Sequence, residues 1–364
     1  MESLTLSGEV VKPDCTSLVD KDKPLCGIDR FRQIAALLIV GIHTYPLSSI
    51  NESLNFFVVN VFSRIAVPFF LMVTGFFLLP QYLSKEKSSA GPLIKFIKKT
   101  GLFYAIATVL YLPVGIYAGY YFRGVKAVAI FRSIIFDGTF YHLWYLPASI
   151  IGVMLLYLLG RRFSIRTVLG IAALLYIIGL FGDSYYGLAV NVPLLNTAYS
   201  AGFRVFTYTR NGLFYAPVFL AMGAMLAKTG HRLDVRISLL GFAASMLLML
   251  GEGSVLRLAG FQRHDSMYAA LLPCMFFLFQ LLLTQKGKTR PILRDATTWV
   301  YILHPLFIIA VRGAAKATGL TGLLVENSMV HYMAVCLLTV AVSLPVAKLQ
   351  QRKKASAFPM IADK

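Results

Sequence analysis

The chain has 364 residues, of which 57% are hydrophobic and only 14% charged, with a mean hydropathy of +0.70. Soluble domains carry about 25% charged residues, so the composition excludes an ordinary soluble enzyme and reads as a polytopic membrane protein. The net charge of +19 does not call for nucleic acid, because basic residues of membrane proteins collect in cytoplasmic loops for topological reasons.

Residues 1–26 form a charged tail with no apolar h-region, so no cleavable signal peptide is expected there. A bilayer span needs about 20 apolar residues, and ten runs qualify: 27–49, 56–80, 97–120, 139–160, 165–182, 211–228, 235–252, 266–284, 296–315 and 328–348. With the N-terminus inside, about 25 Lys and Arg fall on the cytoplasmic side against 9 outside, with Arg64 left within a span. The expected fold is therefore all-α, with about ten transmembrane helices and both termini cytoplasmic. The expected organisation is a tail over 1–26, a membrane domain over 27–348 and a cytoplasmic linker over 349–364.

The first run, GIDRFRQIAALLIVGIHTYPL, holds Arg32 and His43. Eleven residues make almost three helical turns, so the two side chains share a face about 16 Å apart. Ionisable residues on the inner face of a membrane helix are expensive and point to function. A neutral histidine can take a proton from a hydroxyl or amine, which makes His43 a candidate general base; a packing histidine is the alternative. Arg30 and Arg32 suit an anionic group arriving from the cytoplasm, or serve only as positive-inside anchors. Asp29 is one turn from Arg32 and is placed to orient it.

Arg64, in NVFSRIAVPFFLMVTGFFLLP, must face a protein interior or an aqueous cavity; a structural ion pair is its rival reading. Segment 125–137 mixes apolar residues with Lys126 and Arg132 and reads as an interfacial or re-entrant helix. YHLWYLPA, from Tyr141 to Ala148, places His142 and Trp144 at the acceptor end of a tunnel or in an aromatic belt. The connection 183–210, rich in Tyr and Phe, is expected to form an ordered cover over the outer face. TRNGLFYAP puts Arg210 and Asn211 at an outer mouth, and Asp183, Glu252, Arg257 and His264 are outer-side charges able to meet a polar substrate. His304, in WVYILHPLFII, reads as a residue that hydrogen-bonds a neighbouring helix. His331 reads as structural. Cys15, Cys26, Cys274 and Cys336 have neither disulfide nor zinc spacing. There is no P-loop, dinucleotide fingerprint, nucleophile elbow, HExxH or HxxxxD pair.

The arginine-then-histidine spacing of the first run, VPFFLMVTGFF in the second, LWYLPA and YILHPL together resemble the acyltransferase family 3 membrane proteins over about 27–348. The resemblance implies a ten-span core that transfers an acyl group, commonly acetyl, from cytoplasmic acyl-CoA as co-substrate to an acceptor at the outer side. By position it makes His43 the base, Arg32 the group that binds or orients CoA, and Arg64 the basic residue of the second span. GIDRFRQIAALLIVGIHTYPL, YHLWYLPA, YIIGLFGDSYYGL and TRNGLFYAP also resemble the membrane part of the VanT group of vancomycin resistance. That group joins such a domain to a cytoplasmic racemase that uses pyridoxal phosphate. This narrower resemblance implies a bacterial plasma membrane protein and offers L-serine uptake as the alternative activity. It leaves the acceptor, small molecule or cell wall, and a homodimer open.

Overall fold

The computed structural model describes residues 25–83, 89–119, 127–288 and 291–357. Nearly all of the expected tail, the Lys85–Lys87 part of one basic cluster and the end of the expected linker lie outside the described residues. Among the described residues every regular element is helical, and each of the ten apolar runs contains a helix. In chain order these are α1 (Cys26–Thr44), α2 (Glu52–Leu78), α3 (Gly91–Tyr117), the short α4 (Ala127–Arg132), α5 (Tyr145–Gly160) and α6 (Ile165–Phe181). They continue as the short α7 (Tyr186–Val190) and α8 (Pro193–Gly202), then α9 (Ala216–Thr229), α10 (Val235–Leu258), α11 (Leu271–Thr284), α12 (Pro291–Thr318) and α13 (Ser328–Ala357).

Five of these helices, α2, α3, α10, α12 and α13, are long and apolar enough to cross a membrane by length and composition. Four more, α5, α6, α9 and α11, are apolar but run only 14 to 17 residues. At 1.5 Å per residue these span about 21–26 Å, short of a ~30 Å hydrocarbon core. Turns precede three of the four, and such backbone survives at membrane depth only when protein buries it. The helix α9 shows how: eleven of its residues, Ala216 to Ala224 with Leu226 and Ala227, are buried, so it is the centre of the bundle and meets little lipid.

Two glycines let α9 lie directly on α2. A Cβ at Gly75 would land on the carbonyl oxygen of Leu220, and one at Gly223 on the carbonyl oxygen of Met72. The two backbones are therefore in reciprocal contact, with Phe69, Met72, Phe76, Phe219 and Leu220 filling the surroundings. The first helix packs on α2, α11, α12 and α13. Its apolar stripe of Ile28, Phe31, Ala35 and Ile39 thereby holds its polar residues against the bundle interior.

The helix α2 is not uniform. It passes from an α turn through a π-helical stretch, Phe56–Val61, and a 3-10 stretch, Phe62–Ile65, before regular α geometry resumes at Ala66. Side chains repair the disturbed ladder: Ser63 Oγ donates to the Val58 carbonyl at 2.7 Å, and the Asn60 carbonyl accepts from Tyr268 Oη at 2.9 Å. Mid-helix stretches of this kind concentrate at functional sites. Segment 125–137 is helical from Ala127 to Arg132 and π-helical to Asp137, held to α3 by Tyr104 Oη donating to the Ser133 and Ile134 carbonyls.

Gly223→Val should force α9 off α2, since the blocking atom is backbone and cannot rotate away. We expect about 1–3 kcal/mol of destabilisation, read as a thermal midpoint in detergent several degrees below that of Gly170→Ala, whose site has open space around it.

Candidate functional site

His43 lies in the last turn of α1, which ends at Tyr45 in the left-handed conformation with φ 52. Its ring neighbours are Tyr141, at 4.8 Å between centroids and tilted by 60°, and His304, stacked at 5.2 Å and 22°. His142 meets His304 edge to face at 5.2 Å. Three histidines from α1, the turn before α5 and α12 thus converge. They do not make a metal centre: among the described residues no three His, Cys, Asp or Glu side chains are placed to hold an ion.

The partner that sequence reasoning underrated is His304. It does not reach for a neighbouring helix; it serves its own. Pro305 follows it and has no N–H, so the Tyr301 carbonyl loses its usual donor four residues on. His304 Nδ1 lies 2.9 Å from that carbonyl and 3.1 Å from the Val300 carbonyl. Both are acceptors, so Nδ1 carries the hydrogen and in the neutral ring Nε2 keeps the lone pair. One step further, Tyr111 Oη from α3 inserts into the same turn, donating to the Ile302 carbonyl at 2.6 Å and accepting from the Leu306 N–H at 3.2 Å. The dipeptide His304–Pro305 is the signal that was available in the sequence.

Arg32 sits at the opposite end of the same face of α1, its Nε 3.4 Å from Asp29 Oδ1, as the one-turn spacing predicts. Its other charged neighbours are Arg294 and Asp295. Arg30 is exposed at this end, against Gly287. Between Arg32 and the histidines lies a cavity of 270 Å³. Its polar lining is Arg32, Lys99, Thr74, Thr100, Ser149, Thr297 and Thr298, on walls of Phe70, Phe96, Phe103 and Val73. Its lining reaches Ile39, one helical turn before His43, and includes Tyr301 and Ile302. Tyr301 also donates to the His142 carbonyl at 2.6 Å, so this one side chain touches both the cavity and the histidine cluster.

The remaining sequence candidates divide. Arg64 does not line the cavity with Arg32; its Nε donates to the Asn60 carbonyl at 3.4 Å, and it shares the electrostatic neighbourhood of His43, Arg210, Asp265 and His264. It lies in the 3-10 stretch that follows the π-helical stretch of α2, and its half-buried setting against protein groups fits the expectation that it faces a protein interior or a cavity. Arg210 stacks on the rings of Tyr208, at 4.4 Å, and Trp144, at 5.2 Å, so Trp144 seats a guanidinium. His142 is buried, and both its ring nitrogens are without a hydrogen-bond partner among the described residues. Such groups are satisfied by water or a ligand in working proteins.

Asn211 and Asp183 are both engaged within the fold. Asn211 is fully buried; Nδ2 donates to the Tyr208 carbonyl, and Oδ1 accepts from the Leu213 and Phe214 N–H groups at 2.9 and 3.2 Å. These three bonds shape the turn before α9. Asp183 is also fully buried, with Oδ1 accepting from Ser266 N–H at 2.8 Å, Met267 N–H at 3.0 Å and Ser184 Oγ at 3.0 Å. Through Oδ1 it ties the turn after α6 to the turn before α11, while Oδ2 is buried without a hydrogen-bond partner among the described residues. Glu252 likewise accepts from the Ala269 and Ala270 N–H groups and from Tyr185 Oη.

The geometry places an arginine-mouthed cavity and a histidine cluster at successive levels of one helix face. The comparisons with known proteins bear on it directly. The acyltransferase domain Acyl_transf_3 matches residues 27–348. The chain belongs to that family. Two amino-acid racemases of Enterococcus faecalis are 42% and 36% identical over 94% and 91% of the chain. A serine/alanine racemase of Enterococcus gallinarum is 33% identical over 86% of it. The chain spans about half the length of these curated relatives, between 45% and 48%. No solved structure matches it. The shared features support a transferase-type membrane enzyme of the VanT-like kind.

Burial, opposed by the Ser266 N–H, Arg210, Ser184 and Arg64, pushes the Asp183 carboxyl up to about 6 from its usual 3.8. The folded chain then holds this proton more tightly than the unfolded one. The resulting stability is fully present below pH 4 and is lost as pH rises through 6. Asp183→Asn keeps the Oδ1 acceptor without ionising. Its thermal midpoint should match that of the parent near pH 4 and exceed it above pH 6.5, by the equivalent of about 3 kcal/mol.

Proposed function

We propose that this chain is a membrane acyltransferase domain with about ten spans and both termini cytoplasmic. In this reading it moves a short acyl group from acyl-CoA at the Arg32 mouth to an acceptor hydroxyl or amine at His43. The observation that carries the reading is the cavity that leads from Arg32 to within one turn of His43 on a single helix face. Its cationic mouth, hydroxyl-bearing rim and aromatic walls suit, in order, phosphates, amides and the apolar stretches of a pantetheine arm.

The step follows from those placements. His43 takes the proton of the acceptor as its oxygen or nitrogen attacks the thioester carbon; the C–S bond breaks, and the CoA thiolate leaves toward the Arg32 side. The proton then passes from His43 to bulk or to the leaving thiolate. Tyr301 must swing from its bond to the His142 carbonyl to admit the thioester. Proximity along one face and base catalysis supply the rate. The relatives' names, amino-acid racemase and serine/alanine racemase, favour a role beside racemisation of such amino acids; L-serine uptake is the competing reading.

Acetyl-CoA should bind the purified chain saturably by calorimetry in detergent, and Arg32→Ala should weaken that binding at least tenfold. His43→Ala should bind acetyl-CoA normally while losing transfer by about 10²–10⁴-fold, read as CoA thiol release with and without L-serine. Intact, folded chain that binds no acyl-CoA, yet takes L-serine into liposomes, would replace this reading with transport.

A further inference from the structure

The assignment of His43 as the base leaves unexplained why a second ring is held parallel to it. We propose that His304 is a positioning residue for His43: its neutral ring fixes the His43 plane and stabilises the imidazolium that His43 becomes. This inference rests on the reading of His43 as the proton acceptor.

Three observations carry it. First, the ring cannot turn freely. Its Nδ1 hydrogen is committed to the Tyr301 and Val300 carbonyls, and rotation would strand the Tyr301 carbonyl that Pro305 cannot serve, an expensive loss in a buried site. Second, the face it presents is at 5.2 Å and 22° from His43, and Tyr141 lies at 4.8 Å and 60°. A cation within about 6 Å of an aromatic face is attracted by its quadrupole, so the protonated state of His43 is formed against the His304 ring. Third, the charges near His43 act in the opposite sense. His304 itself when charged, then Arg210 from the turn before α9 and Arg64 from α2, all oppose a cation on His43, while His142, from the turn before α5, brings a ring whose nitrogens have no hydrogen-bond partner among the described residues. A neutral ring at position 304 is what offsets the arginines, and a charged one would add to them.

Two variants separate the ring from its hydrogen bond. His304→Asn keeps an N–H for the Tyr301 carbonyl and removes the ring; His304→Phe keeps the face and removes the N–H. With acetyl-CoA, with and without L-serine, His304→Asn should lower kcat roughly five- to thirtyfold and leave the KM for acetyl-CoA unchanged. His304→Phe should recover most of that kcat at a temperature below its own lowered midpoint. The stack is also read without turnover, by NMR of histidine-labelled protein in detergent. The Hε1 resonance of His43, assigned through His43→Ala, should move downfield in His304→Asn and not in His304→Phe. An unmoved resonance in His304→Asn, or a kcat equal to the parent's, overturns the proposal. So does a folded His304→Phe as slow as His304→Asn. Absence of turnover in the parent chain speaks instead against acyl transfer, and the NMR arm still decides the stack.

Discussion

The architecture depends on one constraint, that a backbone N–H or C=O in an apolar interior must find a partner. Pro305 breaks that rule in α12, and the repair recruits side chains from two elements. Tyr111 bridges the Ile302 carbonyl and the Leu306 N–H, and His304 takes the Tyr301 carbonyl. The π and 3-10 turns of α2 break it a second time, and Ser63, Tyr268 and Arg64 repair that ladder. Each repair fixes a side chain that an intact helix would have left free to choose a rotamer. The two interrupted helices thereby orient His304, which stacks on His43, and Arg64, which shares its electrostatic neighbourhood.

Close packing on one side of α2 and open volume on the other are linked. Gly75 and Gly223 let α9 approach until backbone meets backbone. The residues adjoining that contact, Val73 and Thr74, together with Val67 and Phe70, line the cavity shared with α3, α5 and α12. A helix drawn tightly against its core partner leaves room on its far face, and bulky Phe96 and Phe103 from α3 fill that room only in part. The hole in the bundle is a consequence of the small residues beside it.

Much of the fold was legible because length and apolarity alone mark helices that must meet lipid. The Arg32–His43 register and the Asp29–Arg32 pair were legible too, since both are separations along a single helix. The family blocks identified the class. What the sequence hid were consequences of tertiary placement. Asp183 and Asn211 look like substrate ligands because a capping residue and a binding residue are the same side chains, and only their partners tell them apart. Arg64 was legible as a charge within a span, but the change of backbone pitch beside it was not. His304 was weighed as an isolated histidine, whereas the proline after it creates the acceptor that orients it. The short runs of α5, α6, α9 and α11 mark another limit: composition does not say which of them meet lipid and which, like α9, are shielded by their neighbours.

The electrostatics around His43 follow from the same placements. Arg210 is seated on Trp144 and Tyr208, and Arg263 lies over Phe203 at 3.7 Å. None of the three arginines near the outer turns, Arg64, Arg210 and Arg263, has a carboxylate within ion-pair distance among the described residues. Aromatic faces hold a guanidinium without neutralising it, so the positive field persists. His264, against the Tyr208 ring at 4.4 Å, cannot add to that field near neutral pH: burial first, then Arg210, Arg263 and Arg64, push its imidazole down to about 4. The fixed charge of this end therefore comes from arginines, which do not titrate. A proton that moves during chemistry must be carried by a group whose surroundings tolerate both of its states, and the ring of His304 stacked on His43 is the proposed source of that tolerance.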